Sequence, residues 1–184
     1  MRLSTIHAAL RGQLHLPPNV LPELCFLQLR MLCELIAVEC VVANANIDQE
    51  TFQTLFSEFS ADSIMKSLPN YLAPVEVVVS DGVQRLIPQQ CDFLSKQDLL
   101  ALYGRCGKYL HKGSLKTLSS QRSGAEAELS SASRWTQKIK NLMQSHVLYT
   151  HDGESYIYCR LPLDTNEKGT AVLTRRNQVV AVSE

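Results

Sequence analysis

Arg105 and His111 are the two residues whose types and spacing best suit joint chemistry in this chain of 184 residues. An imidazole changes charge near neutral pH and can carry a proton. A guanidinium offers a fork of donors that fits phosphate oxygens. Together they suit phosphodiester cleavage. His111 would act as base on a ribose 2′-hydroxyl or as acid on the leaving oxygen, and Arg105 would hold the scissile phosphate. Lys108, Lys112, Lys116 and Arg122 surround the pair in sequence and suit flanking phosphates.

The element that must position them runs from Ser95 to Gly113 and reads as one helix. Ser95 and Asp98 stand at capping-box spacing, with Asp in place of the usual Glu or Gln, and Gly113 is the natural stop. At 100° per residue the helix divides into three sectors. Leu99, Leu102, Cys106, Tyr109 and Leu110 form an apolar face, while Asp98, Arg105, Lys108 and Lys112 form a polar one. Leu100, Gly104, Gly107 and His111 make a strip between them. Glycine inside a helix costs about 1 kcal/mol against alanine. The two glycines therefore predict close approach of another helix or a ligand along the strip. Arg105 and His111 lie about 120° apart around the axis, so one straight helix does not aim both at one atom. A dimer or a bent helix end is required. Glu34 is a candidate buried partner for His111, or a partner for Arg30 one turn away. Arg30, Glu34, Gly104 and Gly107 together mark a supporting pocket.

An Arg followed after a gap of five residues by a His, near the end of a late helix, resembles the signature of the HEPN superfamily: Arg, a gap of four to six residues, then His. The His111-Lys112-Gly113 ending is similar to the His-Gly endings of several HEPN-like families. The resemblance implies a helical bundle in which Arg105 and His111 from two facing subunits cut RNA without metal. It covers this helix and, loosely, the helical order of residues 20–146. HEPN nucleases often carry a polar residue directly after the Arg, where this chain has Cys106. The stretch Leu27 to Glu34 also resembles uncharacterised bacterial proteins.

Residues 1–20 end in Pro17-Pro18-Asn19 and read as an N-terminal arm. A long helix, apolar on most sides, follows from about Leu21 to Ala45 and reads as the central one. Asp48 to Phe59 is amphipathic, with Phe52, Leu55, Phe56 and Phe59 at helical spacing. Ser60 or Asp62 can cap a short helix that ends at Pro69. Val75 to Val79, a Ser80-Asp81-Gly82 turn and Val83 to Ile87 read as a β-hairpin inserted on the surface. Residues 114–125 read as a loop, and a last helix spans about Ala125 to Ser145. The tail is β: Val147 to Thr150, Ser155 to Leu161, Thr170 to Arg175 and Val179 to Val182. The expected fold is α+β, mainly a bundle of four to five helices with an inserted hairpin near 75–88. The bundle occupies 21–146, and a small C-terminal antiparallel sheet forms an appendage at 147–184.

Composition is that of an ordinary globular chain, 45% hydrophobic and 20% charged with zero net charge. The charge is uneven. Residues 20–95 hold three basic and ten acidic side chains, whereas residues 96–146 hold nine basic and three acidic. That asymmetry permits a polyanion partner, or attraction between the two parts within the fold. Cys25, Cys33, Cys40, Cys91, Cys106 and Cys159 form no Cys-x-x-Cys pair and stand at no zinc spacing from histidine. His146 and His151 are isolated. The cysteines therefore read as small buried hydrophobes in a reducing cytoplasm, with no metal and no cofactor expected. Arg30, Glu34 and Glu39 interrupt the apolar run of residues 24–43, which argues against a membrane span. Tyr149, Tyr156 and Tyr158 with Arg160 and Arg175 can stack single-stranded nucleic acid or simply cover one face of a sheet.

Three readings follow. The first is an RNA-binding protein or metal-independent endoribonuclease of toxin or phage-defence type, with RNA and a second copy of the chain as partners. The second is a dimeric interaction or regulatory protein without catalysis. The third is a small-ligand sensor with its pocket near Glu34, Gly107 and His111.

Overall fold

The computed structural model describes residues 2–18, 20–43, 61–67, 71–81, 83–111, 124–150, 154–162 and 168–175. Their elements are α1 (Arg2–Leu10), α2 (Val20–Ala43), α3 (Ala61–Ser67), β1 (Ala73–Ser80), β2 (Val83–Pro88), α4 (Lys96–Leu110), α5 (Ala125–Met143), β3 (Ser145–Tyr149), β4 (Ser155–Arg160) and β5 (Thr170–Arg175). The amphipathic segment at 48–59 and the strand expected at 179–182 lie outside the described residues.

The five strands form one antiparallel sheet in the order β2-β1-β3-β4-β5. This corrects the expected fold class. The hairpin is not a surface insertion in a helical bundle, and the C-terminal strands are not a small appendage. Pairing of Ala73 with Val147 and of Pro74 with His146 joins the two strand groups edge to edge, and the sheet they build runs through the centre of the fold. The local signals were sound: Asp81 sits at φ 55°, as the Asp-Gly turn requires. The β1–β3 pairing spans more than seventy residues and leaves no local pattern.

The sheet is strongly curled. Gln84 and Leu86 of β2 line the same cavity of about 190 Å3 as Thr170, Val172 and Thr174 of β5. In a flat sheet those strands, four spacings apart, would stand about 19 Å from each other. A cavity that small touches both only if the sheet bends into a half-barrel.

The helices pack on the convex face. Phe26, Leu29, Cys33, Ile36 and Cys40 of α2 meet Leu99, Leu102 and Cys106 of α4, and Ala132, Ile139 and Leu142 of α5. Leu148 of β3 completes this core from the sheet side. Residues 2–10, expected within an arm, form a helix that buries Ile6 and Ala9 in the same core. On α2, Leu27, Leu35, Val38 and Val42 remain exposed. No helix among the described residues is long and apolar enough to cross a membrane.

Candidate functional site

The helix of Arg105 and His111 forms as its sequence directs. The Asp98 amide donates to Ser95 Oγ at 3.1 Å, and the Ser95 amide donates to Asp98 Oδ2 at 3.2 Å, so both halves of the capping box are present. His111 is the C-cap, exposed to solvent, and its backbone amide donates to the Gly107 carbonyl at 2.9 Å. Arg105 turns to α5. Its guanidinium lies 2.9 Å from Glu128 Oε2 and 5.5 Å from the centre of the Phe26 ring. Phe26 in turn stacks on Tyr109 at 4.4 Å. Arg105 is therefore held by α2 and α5 rather than aimed with His111 at a common point.

Arg30 donates to Glu34 Oε1 at 3.1 Å and to Tyr103 Oη at 3.2 Å. Glu34 is thus the partner of Arg30, the i,i+4 alternative, among the described residues. A Cβ at Gly104 or Gly107 would meet nothing within 4 Å. The close approach expected along the glycine strip is absent among the described residues, and helix economy does not explain these glycines. Lys108 is exposed, and Lys112, Lys116 and Arg122 lie outside the described residues.

Arg105 does border a groove of about 210 Å3 with Ser131, Arg134, Trp135 and Lys138. Three cations and an indole suggest an anion site, but carboxylates already occupy two of the cations. Lys138 Nζ is 3.0 Å from Asp92 and 3.1 Å from Asp98. Both contacts raise its pKa, while donation from Lys138 and Ser95 outweighs partial burial and holds the Asp98 carboxyl below its ordinary value. Three cations against three carboxylates leave little net field for a phosphate.

Strand alternation builds a different site on the concave face. β4 sends Tyr156, Tyr158 and Arg160 inward there, and Ile157 and Cys159 toward the helices, because successive side chains point to opposite faces. The register places Val75 and Val77 of β1, Gln84 and Leu86 of β2, and Thr170 and Val172 of β5 on the same inward face. One cavity of about 600 Å3 is lined by Val75, Val77, Gln84, Ser145, Tyr158 and Arg160, with Glu76, Gln89 and Gln144 among its polar neighbours. It shares Gln84, Tyr158 and Thr170 with the smaller cavity lined by Leu86, Tyr156 and Val172. The two adjoin along these residues, the first more polar and the second aromatic and apolar. Ser145 Oγ donates to Tyr158 Oη at 3.4 Å.

On the opposite, helix-facing side of the same strands, His146 pairs in register with Cys159. Its ring is fully buried, and Nε2 lies 2.7 Å from Glu39 Oε1 of α2. Burial alone would lower this imidazole's pKa, but the contacts with Cys159 and Glu39 outweigh it and raise the pKa to about 9. Nδ1 has no hydrogen-bond partner. No family model matches the chain, and no curated protein or solved structure matches it. Function rests on these arrangements alone.

The other cysteines behave as the sequence suggests. Cys25, Cys33, Cys40 and Cys106 are fully buried, and burial pushes their thiols upward, Cys25 to about 11 and Cys40 and Cys106 to about 12. Such thiols are not nucleophiles at neutral pH. Sequence reasoning placed Tyr156, Tyr158 and Arg160 on one face but had no signal for the strand that closes over them. Nothing in spacing links Glu39, His146 and Cys159.

Proposed function

We propose that this protein is a small-ligand binding module that holds its ligand in the concave face of the curled sheet. The observation that carries this reading is the approach of β2 and β5, opposite edges of one sheet, to a shared cavity. A volume of about 600 Å3 lies within the range of small-molecule sites. The lining divides by chemistry. Tyr156, Leu86 and Val172 suit a flat or apolar body, while Arg160, Gln84 and Gln144 suit a carboxylate or other anionic head. This is the sensor reading, moved from the α4 helix to the sheet.

The test is thermal denaturation against a panel of aromatic carboxylates. A ligand at 100 times its Kd stabilises the folded chain by about 2.7 kcal/mol. Tyr158→Ala and Arg160→Ala should each remove the shift while the fold persists. Absence of any shift across the panel, or shifts indifferent to both substitutions, would sink the reading. Binding of a short single-stranded RNA lost on Tyr158→Ala would instead assign the face to nucleic acid.

A second reading is RNA binding or metal-independent cleavage by Arg105 and His111. It is supported by the exposure of His111 and by Arg134, which has no ion-pair partner among the described residues of the α4–α5 groove. It requires a second copy to bring the pair together. Cleavage in EDTA, abolished by His111→Ala, is its expected signature. A folded wild type that leaves RNA intact removes cleavage.

A further inference from the structure

We propose that Glu39, His146 and Cys159 form a binding site for a single divalent transition-metal ion of the zinc class. One donor atom from each residue lies within 4.8 Å of the others. The set combines a carboxylate oxygen, an imidazole nitrogen and a thiolate sulfur, the donor types of zinc centres. With bonds of about 2.0–2.3 Å and tetrahedral angles, such donors stand roughly 3.3–3.8 Å apart around zinc. The present spacing therefore needs an adjustment of at most about 1.5 Å. Glu39 can supply it. Its side chain is 28% exposed at the edge of α2, whereas His146 and Cys159 are fixed as directly opposed residues of β3 and β4.

Of the two ring nitrogens, Nε2 faces Glu39 at 2.7 Å and is the one that can share an ion with it. His146 Nδ1 is one of two buried side-chain atoms without a hydrogen-bond partner among the described residues. The other is Tyr71 Oη. The two ring nitrogens point in divergent directions, so Nδ1 stays outside the coordination sphere. Binding exchanges the His146–Glu39 hydrogen bond for coordination. The thiol proton, and any second imidazole proton, pass to solvent as the sulfur and nitrogen lone pairs bond to the ion. The fourth tetrahedral position falls to water, which makes the centre open rather than closed. The partly exposed Glu39 marks the way in.

The site is separate from the concave cavity: Cys159 points to the helices where Tyr158 and Arg160 point away. Its failure or success leaves the ligand reading untouched. The experiment uses the untagged full chain, stripped with EDTA, reduced and titrated with cobalt(II). The expected result is one ion per chain with a thiolate-to-cobalt charge-transfer band, displaced by zinc. Cys159→Ser should remove the band and Glu39→Gln should weaken binding by at least about tenfold. Cys91→Ser, at a cysteine outside the cluster, should change neither. Circular dichroism establishes that each variant is folded, and Glu39→Gln, at the edge of the core, serves if Cys159→Ser does not fold. A folded wild type without the band, a band that survives Cys159→Ser, or unchanged affinity in Glu39→Gln would each overturn the proposal.

Discussion

Helix α4 and strand β4 both carry cations beside aromatic rings, and the fold treats them in opposite ways. On α4 and its neighbour α5, Arg105 faces Glu128, and Lys138 faces Asp92 and Asp98. Partly exposed pairs of this kind contribute little stability, about 0–1 kcal/mol each, yet they cancel the field that would attract a phosphate. On β4, Arg160 has no ion-pair partner among the described residues, and Tyr156 and Tyr158 line space rather than filling it. Helices α4 and α5 pack side by side, so Arg105 meets a carboxylate of α5 and Lys138 meets carboxylates on and before α4. A strand sorts alternate residues to two faces, and a curled sheet then gathers like faces from distant segments. Arg105 and Lys138 are thus satisfied within the chain, whereas the sheet retains unused binding capacity.

The largest effect that tests this contrast is packing. Phe26 is fully buried, stacks on Tyr109 and lies beneath the Arg105 guanidinium. Phe26→Ala should cost about 4 kcal/mol in urea denaturation, the range for a buried phenylalanine. Tyr158→Ala removes a half-buried ring from a cavity wall and should cost less than about 2 kcal/mol, while removing ligand binding. Equal losses of stability would break the comparison, since Tyr158 would then be part of the core.

A smaller effect separates the two faces by pH. Asp98 closes the capping box and meets Lys138, and these contacts hold its carboxyl below the ordinary 3.8. A depressed carboxylate contributes stability that is fully present above its unfolded pKa and is lost as pH falls through the lower folded value. Asp98→Ala should therefore cost about 1 kcal/mol at neutral pH. The gap from wild type should narrow below pH 3.8, when both are compared by thermal denaturation. A gap constant with pH would mean that the cap acts by packing rather than charge. Ligand binding on the concave face should be unchanged at neutral pH in the same variant.

How much of this could be read from the chain depends on the range of the interaction. The capping box of Ser95 and Asp98, the Asp81 turn and the burial of Cys25, Cys33 and Cys40 follow from residues within one turn or one stripe, and all are legible. Arg30 and Glu34 are legible for the same reason. The union of β1 with β3 is not, because Pro74 and His146 carry no mutual pattern until the sheet brings them together. The Glu39–His146–Cys159 cluster fails for the same cause, with one member on a helix and two on paired strands. Tyr156, Tyr158 and Arg160 are an intermediate case. Their alternation is plain in the sequence, but whether the face they share is convex or concave depends on the curl of all five strands.

The smallest effect concerns the glycines that first drew attention to α4. With no approaching group within 4 Å of either position and no left-handed backbone at either, Gly104 and Gly107 gain nothing from lacking a side chain within the described fold. Gly104→Ala and Gly107→Ala should each stabilise the protein by about 0.5–1 kcal/mol, because alanine restricts the unfolded chain and favours the helix. In urea this appears as a higher midpoint with an unchanged slope. The alternative makes a distinct prediction. If a second copy packs on the strip to bring Arg105 and His111 of two chains together, an added methyl group disturbs that contact. The variants would then lose stability in proportion to the fraction associated, and the loss would grow with protein concentration. Stabilisation independent of concentration assigns the glycines no contact role, and leaves the unspent binding capacity of the molecule on the sheet.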